Sequence, residues 1–414
     1  MRTKILFTGF APNLTLRDVM TSLSYLLFPW KWSGIKSGIY IEAAEKKLDA
    51  YFGNDYHAVT FDSGRSALYA ALKAIGVGEG DEVIVQAFTC VVVVNAIKRA
   101  GATPVYIDID ESYNLDQSLL ERHLHPNTKA IIVQHTFGTP AQIESIIAIA
   151  RKHGVSVIED CAHSLGVRYK NQLLGTFGDI SMLSFGTDKI ISCVRGGAIV
   201  TKSSTLLNEC KELQKTLPYT STKNILQQLV YLSIFLVGKL TYGIGVGKWF
   251  LYAAKKLGIT AKIIDDCEKQ GIWPTNYPSR LPNALAHILS DQIDEIDEVN
   301  EHRRKIATRY HDEIKNSTIL KPDLLDATTP LRYPIQMQNS KEFMRRAKEK
   351  GILLGDWYRT LVAPIDVNTK VTDYVKGSCP NAERAVTDVV NLPTERHLTM
   401  RDVDAIIDFC NDYA

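Results

Sequence analysis

Residues 184–197 read SFGTDKIISCVRGG, and they place one lysine, Lys189, between a small-polar run and a glycine pair. Strand-like sequence flanks the stretch, DISMLSF before it and GGAIVTK after it. A loop lysine is ordinarily a solvated surface charge. The other reading is a covalent anchor for a cofactor. The surrounding chain has to decide between the two.

Outward from this stretch, residues 58–202 alternate between short apolar runs and amphipathic ones. AVTF, DEVIV, TPVYID, KAIIVQH and VSVIED read as strands. RSALYAALKAIG reads as a helix with Ala67, Leu68, Ala71, Leu72 and Ile75 on one face and Gly76 at its end. VVVVNAIKRAG reads as a helix closing on Gly101, although its valines alone would favour a strand. IESIIAIARKHG reads as a helix closed by Gly154. The alternation predicts an α/β fold, a mostly parallel sheet with helices on both faces. Ligands of such sheets sit beyond the C-terminal ends of the strands. A long helix is expected over NALAHILSDQIDEIDEVNEHRRKIATRYHDEI, followed by a smaller C-terminal α+β lobe.

Four features fall at these strand ends. In FDSGRSAL a strand ends, Gly64 permits a tight turn, and a helix starts at Arg65 or Ser66. Unbonded N–H groups and the helix dipole favour an anion there, though a plain serine cap reads the same way. In VIEDCAHS, Asp160 closes an apolar strand, where a carboxylate is costly to bury without a cationic partner. His163 follows three residues later; a helix-capping aspartate and a satisfied core histidine are the plain readings of this pair. Ser184 ends its own strand, and Lys189 is the fourth feature. A lysine, a carboxylate, a hydroxyl and an anion-binding turn at one sheet edge match the requirements of pyridoxal 5'-phosphate better than four separate accidents.

The order and spacing of SGRSAL, GEGDEVIVQAFTCVVVVNAIKRAGATPVYIDID, VIEDCAHSLG, SFGTDKIISCVRGG and CPNAERAVTDVVNLPTERHLT resemble the DegT/StrS-type aminotransferases of pyridoxal-phosphate fold type I. Most members of that family aminate nucleotide-linked keto sugars. The resemblance implies that Lys189 bonds the cofactor aldehyde and that Asp160 pairs with the pyridine nitrogen. It implies that His163 contacts the ring or its 3-oxygen. Gly64, Arg65, Ser66 and Ser184 would hold the phosphate. Arg280 is similar to a position that reaches the phosphate of the neighbouring subunit. The implied reaction moves an amino group from an amino acid, glutamate by resemblance, to a keto sugar, in surface polysaccharide or secondary-metabolite biosynthesis. The implied assembly is a homodimer with its site at the interface. Three features depart from the pattern. Cys90 stands where many members stack an aromatic residue on the cofactor. Arg195 replaces the acid of the usual GEGG. The apolar stretch 225–256 is not a general family feature.

Three other reactions or roles compete. The dehydratase branch of the family carries histidine in place of Lys189. A non-catalytic regulatory or binding protein would need neither Lys189 nor Asp160. A dinucleotide oxidoreductase is disfavoured because no GxGxxG follows a strand.

The 414 residues, 45% hydrophobic and 23% charged, allow a large core and two lobes. The reading divides them into an N-terminal extension and helical lead-in (1–50), a large cofactor domain (51–280) and a linking helix with a small domain (281–414). A net charge of +2 predicts no nucleic-acid partner. Seven cysteines without CxxC spacing predict neither disulfides nor a metal site, and suit the cytoplasm. The N-terminus is a poor signal peptide, because Pro12 and Asn13 break its short apolar run. The stretch 225–256 has three readings: buried packing or dimer interface, contact with the inner membrane surface, or a membrane span weakened by Lys239 and several glycines.

Overall fold

The structure is a computed structural model. It describes every residue except 1–3, 10, 12, 261, 325–327 and 414, so Pro12 lies outside the described residues. Its centre is a seven-stranded sheet: β1 (His57–Phe61), β2 (Glu82–Gln86), β3 (Thr103–Ile107), β4 (Thr128–Gln134), β5 (Ser156–Asp160), β6 (Ile180–Ser184) and β7 (Gly197–Thr201). The spatial order is β1-β7-β6-β5-β4-β2-β3. Only β7 runs antiparallel to its neighbours. The predicted mostly parallel α/β sheet is therefore present.

The strands are buried almost throughout, as both faces are covered by helices. The helix Gly64–Ala74 (α1) turns Ala67, Leu68, Ala71 and Leu72 inward. The valine-rich segment is a helix, Val91–Ala100, closed by Gly101 at φ 105°. Its buried face, with Val91, Val94 and Ile97, outweighs the β preference of valine. Gly154, at φ 68°, closes Ile143–His153 in the same way.

One register fixes the site edge. Gly197 pairs with Ser184 on one side and with Phe61 on the other. The loop 185–196 therefore leaves the edge from β6 and returns to it at β7. Phe185 N–H donates to the Gly196 carbonyl (2.9 Å), closing the loop at its neck.

The stretch 225–256 forms a helical hairpin, α2 (Thr222–Thr241) and α3 (Val246–Lys256). A Cβ on Gly247 would lie 2.2 Å from the Gly238 carbonyl oxygen, so these glycines are where the two helices touch. Lys239 pairs with the buried Glu395 (3.4 Å) and donates to the Ala11 carbonyl (3.2 Å). By length and composition alone, residues Thr222–Ile244 could cross a membrane, but Ile225, Leu229 and Leu232 are buried in the core. The N-terminal helix Leu16–Leu27 packs along α2.

The expected single long helix is broken into α4 (Asn283–Ile293) and α5 (Ile296–Glu313). Glu295 leaves helical geometry at φ −101°, ψ 0° and pairs with Arg396 (2.5 Å). α4 and the start of α5, with Ile296 and Val299, pack in the sheet-domain core, and α5 then carries Ile306, Ala307 and Tyr310 into the C-terminal lobe. That lobe holds the antiparallel strands Tyr333–Gln336 and Val389–Leu392. Leu6–Phe7 pairs in parallel with Ile352–Leu353, so the N-terminal end joins the same core.

A Cβ on Gly197 would fall 2.5 Å from the backbone of Ser63 and Gly64. Gly197→Ala is expected to destabilise the protein by about 1–3 kcal/mol, read as a lower urea midpoint. An unchanged midpoint would show that the neck of the site loop is not constrained in this way.

Candidate active site

A cavity of about 1140 Å³ opens at the C-terminal edge of the sheet. Gly64, Arg65, Cys90, Asp160, His163, Ser184 and Lys189 all line it. Seven of the nine residues singled out in the sequence are thus brought together. Ser66 supports the turn from behind: its hydroxyl donates to Asp62 (2.7 Å). Arg280 is not a lining residue; it donates to the carbonyls of Gln214 and Lys215 of its own chain.

Ser63 caps α1 by accepting from Ser66 N–H. The first N–H groups of a helix have no partner within it, and those of Gly64 and Arg65 have none elsewhere among the described residues. Glycine is needed at 64, since a Cβ there would lie 2.9 Å from Ser184 Oγ. The Arg65 side chain turns away from this cup. It pairs with the buried Glu268 and donates to the Ile263 carbonyl (2.7 Å).

Asp160 is buried at the end of β5 and accepts from Ala162 N–H (3.0 Å). Burial pushes its carboxyl above the ordinary range, against the Ala162 hydrogen bond and the charges of Lys189 and His135. Lys189 is half-buried, its amine 5.0 Å from the centre of the Trp357 ring. Burial lowers its pKa, and Asp160 is the main opposing influence. His163 Nδ1 accepts from Phe137 N–H (3.3 Å), which leaves the ring proton on Nε2. Burial, with Lys189 and Arg332 nearby, holds His163 neutral.

The sequence reading missed Trp357 and Tyr358, which also line the cavity. Trp357 lies parallel to His163, ring centres 5.2 Å apart, and Arg332 covers its ring at 3.5 Å. Asn391 fixes the Trp357 backbone, bonding both its N–H (2.8 Å) and its carbonyl (3.0 Å). Only the composition of DWYRT could have hinted at these residues. His135, Glu159 and Cys161 lie close enough to hold a metal. Both ring nitrogens of His135 are already bonded, to Glu159 and to Ala141 N–H. Glu159 also accepts from the N–H groups of Gly175, Phe177 and Gly178.

This donor set fits pyridoxal phosphate. A glycine-permitted cup of free N–H groups with a hydroxyl suits a phosphate, and a buried carboxylate and a half-buried amine line the same cavity.

The sequence profile of the DegT/DnrJ/EryC1/StrS aminotransferase family matches residues 31–235 and 251–410. The chain belongs to that family. Residues 236–250, the middle of the helical hairpin, fall outside the match. The chain is similar to GDP-perosamine synthase of Escherichia coli O157:H7, 42% identical over 174 residues, covering 42% of this chain and 48% of that protein. The matched part thus spans about half of that relative's length. A pleiotropic regulatory protein of Geobacillus stearothermophilus is 29% identical over 91% of this chain and 87% of its own. The structure of DesV from S. venezuelae superposes with a TM-score of 0.75 at 24% identity, covering 99% of this chain and 98% of that one. The fold is that of pyridoxal-phosphate fold type I, as the sequence reading expected.

Because burial lowers the Lys189 pKa, an amine-selective reagent should label Lys189 at lower pH than it labels exposed lysines. Asp160→Asn removes the charge that chiefly opposes this shift, so the labelling curve should move to still lower pH. Peptide mass spectrometry reads both curves. A move to higher pH in the variant would contradict the electrostatic coupling.

Proposed function

We propose that this protein is a pyridoxal-phosphate aminotransferase that transfers an amino group from an amino acid, with glutamate the expected donor, to a nucleotide-linked keto sugar. The carrying observation is the meeting of Lys189, Asp160 and the α1 cup in one cavity. When bound, pyridoxal phosphate stores the amino group between donor and acceptor and spreads carbanion charge into its ring. The unbonded N–H groups of Gly64 and Arg65 and the Ser184 hydroxyl would hold the phosphate. Asp160, costly to bury as an unpaired carboxylate, favours a protonated ring nitrogen opposite it. His163, neutral with its proton on Nε2, is suited to donate to the 3-oxygen. Lys189 carries a lowered pKa, so its amine can take up and return a proton at the carbon bearing the transferred nitrogen. Trp357 supplies an aromatic surface in a cavity where Cys90 offers none.

The dehydratase reading is disfavoured by the amine of Lys189. The regulatory reading is raised by the name of the Geobacillus relative. It gives no reason to keep both an amine and a carboxylate in the cavity. Purified protein should be yellow, and borohydride should fix the cofactor to Lys189. Lys189→Ala should bind cofactor only noncovalently and lose roughly 10²–10⁴-fold or more in transamination rate. A colourless protein forming no reducible adduct with added cofactor would remove the reading.

A homodimer belongs to the same proposal. So does contact with the inner membrane surface, supported by one helical layer. Trp249 is 74% exposed on α3, with Leu240, Ile244 and Val246 exposed nearby. On the adjoining N-terminal segment, Trp30 is 71% exposed, and Leu16, Met20 and Leu27 are also exposed. Lys248, Lys255 and Lys256 flank the aromatic residues, an arrangement suited to an anionic lipid surface. Flotation with vesicles containing anionic lipid should carry the protein upward, and Trp249→Glu should reduce the floated fraction severalfold. Active protein that stays at the bottom of the gradient excludes membrane contact.

A further inference from the structure

Arg195 is the residue of the SFGTDKIISCVRGG stretch that the family pattern leaves without a role. It is only 8% exposed, yet its Nε and one terminal nitrogen are buried without any hydrogen-bond partner. The other terminal nitrogen donates to the Lys262 carbonyl (2.9 Å). The guanidinium lies 4.4 Å over the Tyr277 ring, and the side chain lines the same cavity as Lys189. Two buried N–H donors left unmade are costly. A ligand that accepts from them would remove that cost.

The position of Arg195 narrows the ligand. Gly197, two residues on, packs directly against the Ser63–Gly64 peptide at the start of α1. The Arg195 side chain and the residues of the cup, Gly64, Arg65 and Ser184, line the same cavity. Val194 adopts φ 72°, a conformation rare for a β-branched residue, to bring the chain there. The nearest cation cannot replace Arg195, because Arg65 is already paired with Glu268. Asp62, which interacts with Arg195 only through its charge, accepts its hydrogen bonds from Ser66 Oγ and Ser279 N–H.

We propose that Arg195 completes the phosphate cup from within its own chain, its free Nε and terminal N–H groups binding the phosphate ester of the cofactor. This rests on the reading of the cavity as a pyridoxal-phosphate site. It adds the one cationic side chain that the cup otherwise lacks. A planar guanidinium can present two parallel donors to a phosphate, which a loop N–H pair alone cannot match.

The test compares pyridoxal phosphate with pyridoxal, which lacks the phosphate, on protein stripped of cofactor. Arg195→Gln should weaken pyridoxal phosphate binding by roughly 10- to 100-fold while leaving pyridoxal binding within about twofold. Equal loss of both ligands would reduce Arg195 to a structural role and overturn the assignment. Unchanged cofactor binding with a raised KM for the amino donor would place a substrate carboxylate there instead, and also overturn it. Wild-type protein gives a reading independent of the variant's folding. Pyridoxal phosphate, and inorganic phosphate at higher concentration, should shield Arg195 from phenylglyoxal, as seen by peptide mass. Undiminished labelling of Arg195 overturns the assignment. Failure to bind either pyridoxal or pyridoxal phosphate would remove the cofactor reading itself, and this inference with it.

Discussion

The close approach of Gly197 to the Ser63–Gly64 peptide is the contact on which the site depends. It seats an antiparallel strand between two parallel ones, with no room for even one methyl group. Because Gly197 also pairs with Ser184, the loop between them must leave and re-enter at one sheet edge. That edge is where Asp160 ends β5 and where α1 begins. Lys189 is thus delivered to a carboxylate and an anion cup by strand register rather than by loop chemistry. The single lysine of the opening stretch is a wall residue of a large cavity, not a solvated surface charge.

Electrostatics then sorts the cavity residues. Burial disfavours the charged forms of Asp160, His163 and Lys189, and their neighbours oppose or add to it. Asp160 keeps a raised pKa despite Lys189 and His135, and Lys189 a lowered one despite Asp160. Neither fully satisfies the other, which leaves the carboxylate suited to a cationic ring nitrogen and the amine suited to proton transfer. His163 is neutral because two cations add to its burial. Around the cup the same logic separates the arginines. Arg65 is consumed by Glu268, whereas Arg195 retains unmade bonds.

Strand ends, glycine-closed helices and the alternation of elements were legible in the sequence, because each is a local signal of period or punctuation. Asp160, Ser184 and Lys189 were legible for the same reason, as each stands at such a boundary. Trp357 was not. It reaches the cavity from a distant lobe and is held there by Asn391, a tertiary contact with no local trace. Arg65 could be placed at the turn but not oriented, since its partner Glu268 lies two hundred residues away. The break at Glu295 was invisible for another reason. The apolar stripe Leu285, Ile288, Ile293, Ile296 and Val299 runs through it without proline or glycine and stays in one core on both sides of the break.

The helical hairpin is where the sequence reading and the structure meet least simply. Its glycines and Lys239 counted against a membrane span, and Gly238, Gly247 and Lys239 have specific packing reasons instead. Gly238 and Gly247 allow the helices to touch, and Lys239 ties the hairpin to Glu395. Burial lifts Glu395 to about 7, so the pair is held in a poorly solvated setting that joins the hairpin to the C-terminal lobe. The hairpin is also a wall of the active-site cavity, through Tyr231, Phe235, Leu251 and Tyr252. Tyr242 and Lys248, also of that wall, lie in residues 236–250, outside the family match. The same segment therefore lines the cavity on one side and carries exposed Trp249 to the surface on the other. The hairpin and the sheet edge thus wall one cavity, the edge from within the family match and the hairpin partly from outside it.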